Sequence, residues 1–110
     1  MDLVLETHTE GSWTVVSVEG ELDLSTSPAL NEYILQRLNE GSYRLAFDMT
    51  RVPFMDSSSL GVLVTCLKRA REKDGDVVLV GLEGSPLKVL TLTGLDRVLV
   101  PVPSLAELPS

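Results

Sequence analysis

The apolar residues of this chain keep changing their spacing, from every second residue to every third or fourth and back, and this alternation limits the possible folds more than any other feature. Period two marks a strand and a period near 3.6 marks a helix. Leu3 to Thr7 and Trp13 to Glu19 alternate across the turn-like Glu10-Gly11-Ser12, which predicts an opening hairpin. In the second segment Trp13, Val15 and Ser17 point one way and Thr14, Val16 and Val18 the other, so this strand belongs inside a sheet. After the loop Gly20-Glu21-Leu22-Asp23-Leu24, Ser25 or Thr26 caps a helix with Pro28 in its first turn. Leu30, Ile34, Leu35 and Leu38 give its stripe, and it runs to about Asn39 with Gly41 as the stop.

Arg44 to Met49 then reads as a buried strand, with Leu45, Phe47 and Met49 on one face and Ala46 on the other. A loop from Thr50 to Met55 leads into Asp56-Ser57-Ser58-Ser59 and a helix whose inward set is Leu60, Leu63, Val64, Leu67 and Ala70. Glu72-Lys73-Asp74-Gly75 closes it. Val77 to Val80 is apolar on both faces, as expected of a strand shielded on both sides. A short helix from Ser85-Pro86 to Thr93-Gly94 packs through Leu87, Leu90 and Val89, and a last strand is expected around Arg97 to Val100. Pro101 and Pro103 break pairing there, which leaves 104–110 as a mobile tail with room for one helical turn. The order predicts an α/β fold: a mixed four- to five-stranded sheet with right-handed crossovers and helices mainly on one face. At 110 residues the chain is a single domain, able to bury roughly two thirds of its unfolded surface.

Charge narrows the partners. Sixteen Asp plus Glu against nine Lys plus Arg give a net charge of −7, with no basic cluster dense enough to attract a phosphate backbone. Nucleic acid is therefore excluded as a partner. The apolar runs Leu60 to Leu67 and Val77 to Leu82 fall far short of the roughly 20 residues that span a bilayer, and Met1-Asp2 opens no signal sequence. Cys66 has no second cysteine to pair with, which favours a cytoplasmic setting and a packed, unreactive side chain. Lone His8 cannot build a metal centre and reads as a surface residue. No metal and no cofactor is expected.

The chemistry-bearing segment is Asp56-Ser57-Ser58-Ser59, because a helix start leaves N–H groups unpaired and its dipole favours an anion. A phosphate fits there, although capping alone also explains these residues. From Ser58, the residues Val62, Thr65 and Arg69 follow at spacings of four, three and four, a stripe distinct from the core face and suited to a partner. A serine hydrolase would need a base beside its nucleophile, and neither a second histidine nor a G-x-S-x-G elbow is present. Asp23, Asp48 and Asp56 are better read as a loop residue, a strand end and a cap than as metal ligands. Gly81-Leu82-Glu83-Gly84 is a turn, and no phosphate-cradling glycine motif occurs.

The segment Phe54-Met55-Asp56-Ser57-Ser58-Ser59-Leu60-Gly61-Val62-Leu63 resembles the signature of bacterial anti-sigma factor antagonists, the small STAS-domain proteins. Gly20-Glu21-Leu22-Asp23 is similar to that family's G-E-L/I-D loop, and Leu92-Thr93-Gly94-Leu95 to the end of its third helix, so the likeness covers residues 1 to 103. The resemblance implies a partner switch without catalysis by this chain. Unphosphorylated, it would bind an anti-sigma factor that is also its serine kinase and so free a sigma factor; phosphate on Ser58 would end binding, and a serine phosphatase would restore it. The implied partner surface comprises Asp23, Thr26, Ser27, Asp56, Ser57, Ser59, Val62, Thr65 and Arg69, on a chain that is a monomer when free. Ser59 stands where the family usually has glycine, so Ser57 and Ser59 are neighbouring hydroxyls that could compete for the phosphate, and Ser59 could narrow a partner's approach. A STAS scaffold within a larger stress-signalling complex, or a small serine hydrolase, are the alternative functions.

Overall fold

The computed structural model describes residues 2–109. Five strands lie in chain order across one sheet: β1 (Val4–Glu10), β2 (Trp13–Glu19), β3 (Arg44–Arg51), β4 (Asp76–Val80) and β5 (Val100–Val102). β1 pairs antiparallel with β2, and β2 to β5 are mutually parallel. Parallel neighbours need crossovers, supplied by α1 (Ser27–Asn39), α2 (Ser57–Arg71) and α3 (Gly84–Leu92). The architecture is the α/β mixed sheet that the spacing predicts.

All three helices pack on one face. Val16, Val18, Leu45, Phe47, Met49, Val77 and Leu79 supply the sheet side of that core; Leu30, Ile34, Leu38, Leu60, Leu63, Cys66, Leu67 and Leu90 supply the helix side. Cys66 is packed there as expected, whereas Val64 is only half-buried and Tyr33, rather than Leu35, joins the core from α1. Helix α1 ends where the sequence says it must. Gly41 has φ +90°, and the amides of Gly41 and Ser42 return to the carbonyls of Leu38 and Arg37, a Schellman closure that a side chain at Gly41 would strain.

The other face carries a smaller cluster of Trp13, Val15, Ala46, Val78 and Val80. Here one expectation fails. The last strand does not occupy Arg97 to Val100: Gly94, at φ +74°, turns the chain into a 3-10 turn at Leu95–Arg97, which buries Leu99 fully and delays β5 to Val100–Val102. Pro101 sits inside β5, where an edge strand tolerates its missing N–H. The described residues of the tail lie against this face. Leu105 and Leu108 pack against the smaller cluster, and Trp13 Nε1 donates to the Pro109 carbonyl at 2.6 Å. The single expected helical turn is present as Leu105–Glu107, and Ser110 lies outside the described residues. At the hairpin, β1 extends beyond Thr7 to Glu10, which leaves His8 exposed and within 3.5 Å of Glu10.

Candidate functional site

Two loops leave the sheet at the same end, and one short bridge ties them together. The Leu22 amide donates to Phe54 O at 2.9 Å and the Asp56 amide donates to Leu22 O at 2.9 Å, so Leu22 and Met55 pair as an isolated parallel bridge. Both side chains are fully buried, which pins the loops from beneath. Gly20, at φ +123°, lets the chain turn into this loop and donates to Arg51 O. The bridge brings the N-termini of α1 and α2 side by side.

An aspartate stands before each terminus. At α1, Asp23 Oδ1 accepts from the Ser25 amide at 2.9 Å, the Ser25 hydroxyl at 2.7 Å and the Thr26 amide at 3.0 Å. The Ser25 hydroxyl and the amide bonds hold the Asp23 carboxyl below its usual range, so it is ionised at neutral pH. At α2, Asp56 is the N-cap, and its Oδ1 accepts from the Ser58 amide at 3.0 Å and from the Ser58 hydroxyl. Ser27 joins the two termini. Its Oγ donates to Asp23 O at 2.7 Å and lies 3.1 Å from Ser58 Oγ and 3.2 Å from Ser59 Oγ.

Each hydroxyl carries one hydrogen, which fixes the direction of this chain. Ser27 donates to Asp23 O and Ser58 to Asp56, so Ser59, fully buried, donates to Ser27 Oγ. Ser58, with its hydrogen on Asp56 and Ser27 Oγ at 3.1 Å, is then half-buried and keeps a lone pair for a further contact.

The structure sorts the predicted site residues accordingly. Asp23, Ser27, Asp56, Ser57, Ser58 and Ser59 meet at one place, with Ser57 exposed. Ser59 does not reach the surface: it is 0% exposed and turned inward to Ser27. Thr26 and Ser27 are each only 6% exposed, their hydroxyls spent on Glu21 O and Asp23 O. Along α2, Val62 is half-buried against the core rather than exposed, while Thr65 and Arg69 are exposed as the stripe requires. Asp48 is separate: its carboxylate lies on the sheet face opposite the helices, accepting from Thr50, beside a hollow of about 410 Å³. His8 sits on β1 opposite Val15, on that same far face, so the serines have no imidazole base from it. Among the described residues no group of three or more His, Cys, Asp or Glu could hold a metal. Sequence reading passed over Leu24 and Phe54, whose only signal was an apolar side chain in a loop with no periodic partner; both are exposed on the bridged loops.

The STAS domain profile matches residues 4–108. The chain belongs to the STAS-domain family. It is similar to the anti-sigma-B factor antagonist of Staphylococcus epidermidis, with 33% identity over 95 residues that cover 86% of this chain and 88% of that one. An anti-sigma factor antagonist from Thermotoga maritima, described as putative in its crystal structure, superposes with a TM-score of 0.87 at 25% identity, covering 94% of this STAS chain and 89% of the other. SpoIIAA shares the fold at 21% identity in its unphosphorylated form, with a TM-score of 0.65 over 87% of this chain and 96% of that one. Its phosphorylated form from Bacillus gives 0.68 at 22% identity, over 91% and 90%. No helix among the described residues is long and apolar enough to cross a membrane.

Proposed function

We propose that this protein is an anti-sigma factor antagonist whose binding is switched off by phosphorylation of Ser58. Unphosphorylated, it binds an anti-sigma factor that is its serine kinase and thereby releases a sigma factor in the cytoplasm; a serine phosphatase resets it. The chain performs no catalysis itself. The observation that carries the reading is the half-buried Ser58 hydroxyl, presented at the start of α2 with its hydrogen on Asp56, in a STAS chain one-third identical to an anti-sigma-B factor antagonist.

The geometry suits transfer of a phosphoryl group to this oxygen. Asp56 draws the hydroxyl hydrogen inward, which leaves a lone pair for an incoming phosphorus, and the α2 amides and dipole then face the new phosphate. The phosphoester oxygen has no hydrogen, so Asp56 loses one of its two bonds from Ser58 and gains about −1.5 to −2 charges as a neighbour. Two like unit charges 4 Å apart repel by about 1 kcal/mol in water and about 4 kcal/mol under the partial desolvation of a protein contact. The first figure is small beside the roughly 5–15 kcal/mol of a typical fold, so the free protein survives modification. The second is worth nearly three decades in affinity, because each 1.4 kcal/mol is tenfold. A kinase site also holds nucleotide phosphates opposite Ser58, which adds to the repulsion. The switch therefore acts on the complex.

Docking on this face uses Asp23, Asp56, Ser57, Thr65 and Arg69 directly, with Thr26, Ser27, Ser59 and Val62 holding them from below. Incubation with the organism's anti-sigma factor kinase and Mg-ATP should add one phosphate, mapped to Ser58 by peptide mass. The unphosphorylated form should capture the kinase and the phosphorylated form should lose it. Equal capture by both forms rejects the switch, and capture of a large complex without sigma factor release favours the scaffold reading.

A further inference from the structure

The two bridged loops carry exposed apolar side chains that the fold does not use. Leu24 is 77% exposed and Phe54 42% exposed, one on each of the loops that the Leu22–Met55 bridge joins. Their nearness to Ser58 follows from the hydrogen bonds. Steps of 2.7 and 3.1 Å link Asp23 O to Ser27 Oγ and then to Ser58 Oγ. Leu24 begins at the next peptide bond, so its Cα is no more than about 9 Å from Ser58 Oγ. Phe54 is two residues before Asp56, which accepts the Ser58 hydroxyl, and this bounds its Cα at about 14 Å. A specific complex covers about 800 Å² on each partner, a disc of about 16 Å radius. An interface of that size centred on Ser58 reaches the backbone of both residues.

We infer that Leu24 and Phe54 are the apolar anchors of the docking surface, and that they fit an apolar patch on the anti-sigma factor kinase beside its phosphoryl donor. This rests on the function proposed above and names the residues that supply its affinity. Charge gives the rest of the complement. The rim formed by residues 20–27 and 52–59 contains Glu21, Asp23 and Asp56 and no Lys or Arg, and the adjoining Arg51 is paired with Glu19 at 3.1 Å. The kinase patch is accordingly bordered by Arg or Lys. Central apolar residues within a polar rim are the arrangement in which a few side chains hold most of the binding energy.

Leu92 supplies an internal control. It is 78% exposed, as open as Leu24, but it is the last residue of α3. The crossover helices run in the same sense between parallel strands, so Leu92 lies at the end of the fold opposite Ser58.

The test uses the full chain and the purified anti-sigma factor kinase that phosphorylates it, with calorimetry in Mg-ADP and phosphorylation kinetics in Mg-ATP. Leu24→Ala and Phe54→Ala should each raise Kd and KM at least tenfold with kcat within twofold, while Leu92→Ala leaves all three within twofold. Unaltered binding by Leu24→Ala, which removes no buried contact, overturns the inference while phosphate-sensitive binding of the wild type leaves the functional reading intact. A fall in kcat with KM unchanged also overturns it. Failure of the wild type to bind the kinase or accept phosphate on Ser58 removes both readings together.

Discussion

Helices α1 and α2 begin side by side with the same chemistry, an aspartate followed within four residues by serines or threonines, yet only one presents an open site. At α1 Asp23 holds the turn before the helix, and Thr26 and Ser27 are each 6% exposed with their hydroxyls consumed by backbone carbonyls. At α2 the cap comes from the N-cap itself, Asp56, which leaves Ser57 exposed and Ser58 half-buried. Capping and display are thus separable. One terminus spends its hydroxyls on structure, the other keeps one available, and the first holds the second in place through Ser27.

The largest test of this contrast is modification itself. Ser58→Ala should abolish phosphorylation by the cognate kinase, whereas Ser27→Ala should still take one phosphate, as read by intact mass. Phosphate retained by Ser58→Ala at the exposed Ser57 would break the comparison. Next comes the link between the termini. Ser27→Ala strips the buried Ser59 hydroxyl of its acceptor and should cost about 1–3 kcal/mol in denaturant unfolding. The double change Ser27→Ala with Ser59→Ala should recover part of that loss, and strictly additive costs would dissolve the pair.

Removing the α2 cap should cost less. Asp56→Ala is expected to lower stability by about 1 kcal/mol, or about 4–8 °C in Tm for a domain of this size. The smallest effects are in pH. Asp23 is held below its ordinary value of 3.8, so its contribution to folding is complete above that pH and fades as pH falls through the lower folded value. An Asp23→Asn variant should therefore flatten the acid limb of a stability profile. Burial pushes the Cys66 thiol up to about 12 from 9.0, so the neutral thiol's contribution is intact below pH 9 and lost as pH rises toward 12. A native protein that reacts readily with a thiol reagent at pH 8 would contradict that burial.

Sequence order and period carried most of the fold, because strands and helices here follow their own spacing with few exceptions. Leu45, Phe47 and Met49 had to face one side, and the helices had to cover it. The end of the chain was less legible. Pro101 suggests a break, and only the pairing of β5 at the sheet edge makes it harmless; Leu105 and Leu108 suggest a weak turn, and only the cluster around Trp13 gives them a place to bury. The site divides in the same way. Asp56 and Ser58 sit two residues apart and their cap was readable locally. The burial of Ser27 and Ser59 depends on a bond between residues 32 positions apart, which no local pattern encodes.

Trp13, the only tryptophan, is stacked under Arg44 at 4.3 Å and bonded to the Pro109 carbonyl, on the opposite side of the sheet from α2. The molecule therefore holds an optical reporter insulated from its own switch by a layer of close-packed strands. Emission that is unmoved when Ser58 gains a phosphate would mark the signal as carried entirely by the outer surface, read by the partner and not felt by the fold that displays it.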